Sequence, residues 1–263
     1  MTTVLLHGLG ADRRQPLGLF QPVIEEIAGP DELIVAPDVR AHGGFLAVGE
    51  PADFEIDRLA AEVCERVPAA LDGAGGDGHA ASRPVTIIGI SMGAALALRI
   101  ALAGLLPVDR AVFVRPAFTD RSLPENLRPF PVIGQQLVDA GPAGATEFQE
   151  REPYRRLAEV SPAGARALLS QFTAPDAARR AMRLVEIPRN RAFETDAELG
   201  ELAARGIRSL VVGAERDPVH PLPIAERWAG GLGAAMEVVP ARDDGQAEQT
   251  AALREHVGRW LRR

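Results

Sequence analysis

The sequence has very little cysteine and no excess of positive charge. Its single cysteine, Cys64, excludes an internal disulfide and favours a reducing, cytoplasmic setting. There are 29 lysine and arginine residues against 36 aspartate and glutamate residues, a net charge of −7, so no basic field attracts phosphates or anionic lipids. We therefore expect neither nucleic acid nor a membrane surface among its partners, and composition leaves the oligomeric state open.

Long apolar runs are also missing. None approaches the ~20 residues that a membrane-spanning helix requires, and the residues after Met1 resemble a strand rather than a targeting segment. The glycine-rich stretch from Gly73 to Ser82, which contains His79, follows a helical pattern and precedes a strand, the wrong order for a dinucleotide motif. We expect no cofactor and no metal.

Short apolar runs alternate with segments of helical periodicity, and this alternation predicts the fold class. Apolar residues recur at helical spacing within 19–27, 56–67, 98–105 and 253–261. Such alternation predicts an α/β fold with a mainly parallel six-stranded sheet flanked by helices. The predicted strands are Thr3–Leu6, Glu32–Ala36, Val85–Ile88, Ala111–Val114, Ser209–Val212 and Met236–Val239.

The alternation stops between about Ala117 and Leu202. Several helical pieces occur there without a strong strand, and they are separated by prolines at 124, 129, 131, 142, 153 and 162. This pattern predicts a helical cap, residues 117–202, inserted into a core made of residues 1–116 and 203–263.

A serine sits between two glycines where a predicted strand meets a predicted helix, in Gly-Ile-Ser-Met-Gly at 89–93. A sharp turn at this point needs tiny residues on either side of the serine and exposes its hydroxyl at the strand end. The start of the following helix lets the Met92 amide point at an oxyanion. Ser91 is therefore a candidate nucleophile; the alternative is a plain glycine-containing turn.

Two further segments follow predicted strands, His-Gly-Leu-Gly at 7–10 and Pro-Asp-Val-Arg-Ala-His-Gly at 37–43. Together with the Ser91 turn they resemble the α/β-hydrolase superfamily over residues 1–115 and 205–263. The resemblance implies esterase-like or lipase-like acyl transfer to a small molecule through Ser91. We expect Leu9 to supply the second oxyanion-hole amide, and His7 and His42 to brace loops.

In this family the triad acid follows the strand after the cap. Asp217 fits that place in Leu-Val-Val-Gly-Ala-Glu-Arg-Asp-Pro-Val-His at 210–220, although Glu215 competes with it. A surface-turn aspartate before proline is the alternative interpretation of Asp217.

The expected triad histidine is missing after the sixth predicted strand, because residues 240–250 contain no histidine. Aligning the final helix puts Gln249 in its place, and glutamine does not titrate near neutral pH. His220, three residues after Asp217, is a relocated base if its ring approaches Ser91 Oγ. His256 lies deep in the final helix and is not expected to take part.

Arg115 ends the fourth predicted strand, where carboxyl ends of parallel strands face a ligand crevice. It is a candidate for binding an anionic substrate group, and a structural ion pair is an equal alternative. Two functions remain open at this point. The first is hydrolysis of a small ester, thioester or lactone; the second is binding or non-hydrolytic transformation of a small molecule in a capped pocket.

Overall fold

The computed structural model describes residues 2–30, 32–73 and 84–263. Six strands form one parallel sheet in the order β2-β1-β3-β4-β5-β6. All six predicted strands are present, which confirms the predicted sheet. Residues 74–83, and with them His79, lie outside the described residues. The strands are β1 (Thr2–Leu6), β2 (Leu33–Val35), β3 (Val85–Ile90), β4 (Val108–Val114), β5 (Arg208–Ala214) and β6 (Ala235–Val239).

The helices in chain order are α1 (Arg14–Ala28), α2 (Ile56–Gly73), α3 (Met92–Ala103), α4 (Pro129–Ala140), α5 (Gly144–Glu150), α6 (Glu152–Val160), α7 (Pro162–Thr173), α8 (Met182–Glu186), α9 (Asp196–Ala204), α10 (Leu222–Leu232) and α11 (Gln246–Leu261). Within the described residues, none of them is both long and apolar enough to cross a bilayer.

Helices cover both faces of the sheet, as the α/β fold requires. On one face, α1 and α11 pack on each other and bury Phe20 and Val257 against β3, β4 and β5. On the other face, α2, α3, α9 and α10 form a continuous layer that buries Leu59, Leu96 and Trp228. The central strands β1 and β3, and the second halves of β4 and β5, are thereby buried on both sides, which explains why they read as apolar runs. The edge strands β2 and β6 are only partly buried.

The segment between β4 and β5 contains the inserted helices. Helix α4 packs against α5, α7 and α8, while α6 packs against α7, so these helices form a unit of their own. Helix α9 begins within the predicted cap boundaries of 117–202 and ends two residues beyond them. It packs on α10 and α3, in the helical layer on the sheet.

Two buried histidines join the loops that follow β1 and β2. His7 Nε2 accepts a hydrogen bond from the Val39 amide at 3.0 Å, and His42 Nε2 accepts one from the Gly10 amide at 3.0 Å. Because both Nε2 atoms accept, both Nδ1 atoms carry the hydrogen, which they donate to backbone carbonyls. Burial lowers the pKa of both rings, most strongly that of His42. The two neutral rings thus tie the loops together.

We expect the free energy of unfolding to decrease as the pH falls below about 6.5, the pKa of a histidine in an unfolded chain. The unfolded chain takes up protons there, whereas the buried rings resist them, so acid favours unfolding. Urea denaturation should show a loss of about 1 to 2 kcal/mol between pH 7.5 and pH 5.5. The loss should be smaller in His42→Gln. Equal stability of the wild-type protein at both pH values would contradict this account.

Candidate active site

One cavity lies where the carboxyl ends of the central strands meet, and it has a volume of about 230 Å³. Such strand ends are where open α/β sheets place their ligands, because loops from several strands converge there. The inserted helices contribute Phe130 and Leu168 to its wall, among others. Its polar wall consists of Gln15, Ser91, Arg115, Ser161, Ser170, Gln171, Arg216, Asp217, His220, Arg242 and Asp243.

Ser91 occupies a strained turn between β3 and α3. Its backbone φ of 54° and ψ of −110° are unfavourable for a residue with a side chain, and such strain is typical of functional sites. The flanking glycines make the turn possible. A Cβ at Gly93 would lie within 3 Å of the Leu6 and His7 carbonyl oxygens, and a Cβ at Gly89 would meet the Gly93 backbone. Ser91 is 9% exposed, at the cavity wall.

The two predicted oxyanion-hole amides belong to different elements. Met92 is the first residue of α3, so its amide has no acceptor within the helix. Leu9 lies on the cavity wall, in the turn after β1. The amides on both sides of it are engaged, since Gly8 N donates to Gln15 Oε1 at 2.8 Å and Gly10 N donates to His42 Nε2 at 3.0 Å. These bonds fix the turn that carries Leu9.

The structure brings Asp217 and His220 together on the loop after β5. His220 Nδ1 lies 2.8 Å from Asp217 Oδ2, while Asp217 Oδ1 accepts hydrogen bonds from the amides of Val219 and His220, both at 3.1 Å. An aspartate that bonds amides two and three residues ahead closes a tight turn, and this turn returns the His220 ring to the carboxylate. Because Nδ1 donates to the carboxylate, Nε2 is the basic nitrogen of the neutral ring.

Burial and charge set the ionisation of this pair. Burial lowers the pKa of His220, although the Asp217 carboxylate opposes the shift. Burial acts to raise the pKa of Asp217, but His220 and Arg115 outweigh it and hold that pKa well below its usual value. Near neutral pH the pair therefore consists of a carboxylate and a neutral imidazole, the state that a general base requires.

Arg115 connects Asp217 to the final helix. Its Nη1 lies 3.7 Å from Asp217 Oδ2 and donates to Gln249 Oε1 at 3.4 Å. Gln249 Nε2 in turn donates to the Pro240 carbonyl at 2.8 Å. Both side chains are buried, and burial lowers the pKa of Arg115 to about 10. Arg115 thus forms the structural ion pair that was one of its two predicted roles, and its side chain also lines the cavity.

The loop after β6 places Arg242 and Asp243 on the cavity wall, whereas Gln249 is not among the lining residues. Asp243 accepts hydrogen bonds from Ser161 Oγ at 2.5 Å and from the Ala163 amide at 2.7 Å, which ties this loop to the start of α7. Sequence reasoning missed both residues because it searched this loop only for a histidine. Their position directly after a strand was the available signal.

The presence of some residues in the cavity wall could not be predicted from the sequence. Ser161 precedes α7 and Gln171 lies within it, and the position of this helix over the sheet follows from packing. Gln171 Oε1 is buried and has no hydrogen-bond partner among the described residues. In the same part of the chain, no group of three or more histidine, cysteine, aspartate or glutamate side chains is arranged to hold a metal ion.

Comparison with solved structures agrees with the observed architecture. A thermophilic esterase from Thermogutta terrifontis is 19% identical, with a TM-score of 0.65 over 100% of this chain and 89% of the esterase. A meta-cleavage product hydrolase from Pseudomonas fluorescens is 20% identical, with a TM-score of 0.66 over 99% and 90%. MenH from S. aureus is 14% identical, with a TM-score of 0.61 over 99% and 91%. At these identities the similarity shows the fold alone.

A search of curated protein sequences finds no significant match. The family model described as the alpha/beta hydrolase family, however, matches residues 3–253, nearly the whole chain. The match spans the Ser91 turn, the Asp217 loop and the strand ends that form the cavity. The chain belongs to the alpha/beta hydrolase family.

Proposed function

We propose that this protein hydrolyses a small ester, thioester or lactone through Ser91, with His220 as a relocated general base oriented by Asp217. The observation that carries the proposal is the 2.8 Å hydrogen bond between His220 and Asp217 on the wall of the cavity that Ser91 also lines. An oriented base and a displayed hydroxyl in one cavity are what nucleophilic acyl transfer requires.

In the proposed mechanism, His220 Nε2 takes the Ser91 hydroxyl proton as Oγ attacks the substrate carbonyl carbon. The amides of Leu9 and Met92 stabilise the oxyanion that forms. The tetrahedral intermediate then collapses, the leaving group receives the proton from the His220 imidazolium, and an acyl-Ser91 ester remains. Water, deprotonated by the same ring, hydrolyses this ester and restores the hydroxyl.

A second candidate function is binding or non-hydrolytic transformation of a small molecule in the same cavity. It is favoured by the loop after β6, where the family's histidine is expected and where Asp243 is instead committed to Ser161 and Ala163. This alternative needs no activated serine. The two functions therefore differ in whether Ser91 reacts with an acylating or phosphonylating reagent.

We expect a fluorophosphonate probe to add once to the wild-type protein and not to Ser91→Ala, because only an activated serine is phosphonylated at a useful rate. Intact mass spectrometry measures the adduct. Circular dichroism of Ser91→Ala checks that the variant is folded. A folded wild-type protein without an adduct would exclude the acyl-enzyme mechanism and favour the second candidate.

We expect His220→Gln to reduce kcat/KM for p-nitrophenyl acetate by about 10²- to 10⁴-fold, the usual loss when a general base is removed. His256→Gln is the matched control, because His256 lies on α11 and pairs with Glu237 outside the cavity. Its activity should equal that of the wild-type protein. If His220→Gln were as active as His256→Gln, His220 would not be the base.

The pH dependence of kcat/KM provides an independent check on His220. Only the neutral ring accepts the serine proton, and burial lowers its pKa below 6.5. We expect kcat/KM to stay constant from pH 8 to about 6.5 and to fall in more acidic solution, with an apparent pKa below 6.5. An acidic limb with its midpoint above pH 7 would contradict this assignment.

A further inference from the structure

A second cavity, of about 520 Å³, lies beside the catalytic one. The two cavities share Gly10, Ala11 and Gln15, in the segment that follows β1 and carries Leu9. The loop after β2 forms another wall of the second cavity. The chain between α7 and α8, together with the start of α8, contributes Arg180 and Arg183.

Positive charge dominates this second cavity. Four arginines and two aspartates line it, and both aspartates are already engaged. Asp12 lies 2.6 Å from Arg14, and Asp38 lies 3.3 Å from Arg13. Asp38 also accepts hydrogen bonds at 2.8 Å from the amides of Arg13 and Gly44. Neither carboxylate is therefore left to neutralise the remaining two arginines, Arg180 and Arg183.

Arg180 and Arg183 are 7% and 3% exposed. The only carboxylate near Arg180 in the described part of the chain is Asp176, at 3.4 Å and itself half exposed. Arg183 donates to the Ala41 carbonyl, but its Nε has no partner and no carboxylate lies within ion-pair distance among the described residues. Burial, with a smaller contribution from Arg180, lowers the pKa of Arg183 to about 10.

A buried guanidinium without a counterion is costly, because burial removes its hydration and a neighbouring cation adds repulsion. A planar anion would satisfy the free N–H groups and neutralise the charge, as arginine does in bidentate contacts with carboxylates and phosphates.

We infer that Arg180 and Arg183 bind an anionic oxygen group, a carboxylate or a phosphate, on the substrate whose carbonyl Ser91 attacks. The substrate class is then an anionic ester, thioester or lactone that reaches from the catalytic cavity past Gly10 and Ala11 into the second cavity. The link to hydrolysis rests on the proposed function. The anion site itself does not, because its arginines stand apart from the Ser91 chemistry.

Binding is measured first, by isothermal titration calorimetry on Ser91→Ala protein in a low-salt buffer. Succinate and inorganic phosphate are the two probes, and they distinguish a carboxylate from a phosphate as the preferred group. We expect saturable binding of at least one of them. Arg180→Met and Arg183→Met should each weaken it at least about tenfold, since each removes a charge-assisted hydrogen bond.

Arg262→Met is the matched control, because it removes the same charge from an exposed pair with Glu26 at the end of α11. It should leave the affinity unchanged. If Arg183→Met does not fold, Arg180→Met, which keeps the Arg183 contact with Ala41, decides the question alone. Absence of saturable binding for both probes, or equal affinities in Arg180→Met and Arg262→Met, would overturn the anion site.

A second measurement connects the site to turnover. The ratio of kcat/KM for p-nitrophenyl hemisuccinate to that for p-nitrophenyl butyrate should fall at least about tenfold in Arg180→Met and stay constant in Arg262→Met. An unchanged ratio in Arg180→Met would overturn the role of the site in substrate selection. Anion binding without fluorophosphonate labelling would instead refute only the hydrolase function, so the two failures are distinguishable.

Discussion

The hydrogen bond between His220 Nδ1 and Asp217 Oδ2 is the interaction on which the candidate chemistry depends. It fixes the tautomer of the ring and leaves Nε2 as the basic nitrogen. In the proposed mechanism this nitrogen takes the proton of Ser91, so without the bond the hydroxyl in the strained turn would have no oriented base. The bond exists because the Asp-Pro-Val-His segment folds back on one carboxylate, which holds two backbone amides and the ring together.

Arg115 completes this arrangement from the other side. Its guanidinium, buried 3.7 Å from Asp217, favours the ionised carboxylate and thereby keeps the His220 hydrogen on Nδ1. Gln249 on α11 accepts a hydrogen bond from Arg115 and itself donates to the Pro240 carbonyl in the loop after β6. The segments after β4, β5 and β6 are thus linked in one chain of contacts, in which Arg115 is the group that reaches the Asp217 carboxylate.

Much of the fold could be predicted because the centre of the sheet is buried on both faces. Parallel strands buried on both faces must be apolar, so β1, β3 and the second halves of β4 and β5 stand out as short apolar runs. The Ser91 turn was equally visible, since its two glycines are required by backbone contacts that no side chain fits. These features are local, and a single sequence carries them.

The rest depends on packing between distant segments. Nothing in the sequence near Ser161 or Gln171 indicates that the inserted helices bring them to the cavity, because their orientation follows from contacts among α4, α5, α7 and α8. Alignment of the final helix put Gln249 in the place of the family's histidine, yet Arg242 and Asp243 are the residues that line the cavity. They do so because the loop before this helix is bonded to the start of α7 through Asp243. Likewise, Arg183 donates to a backbone carbonyl in the loop after β2, although more than a hundred residues separate the two in the sequence.

The most direct measurement of the central claim is a crystal structure of the protein with a boronic acid bound to Ser91 as a mimic of the tetrahedral intermediate. The relocated base requires His220 Nε2 within about 3 Å of Ser91 Oγ or of a boronate oxygen, with Nδ1 still on Asp217. A boronate bound to Ser91 with the His220 ring out of contact, and with Arg242 or Asp243 against it instead, would contradict the account.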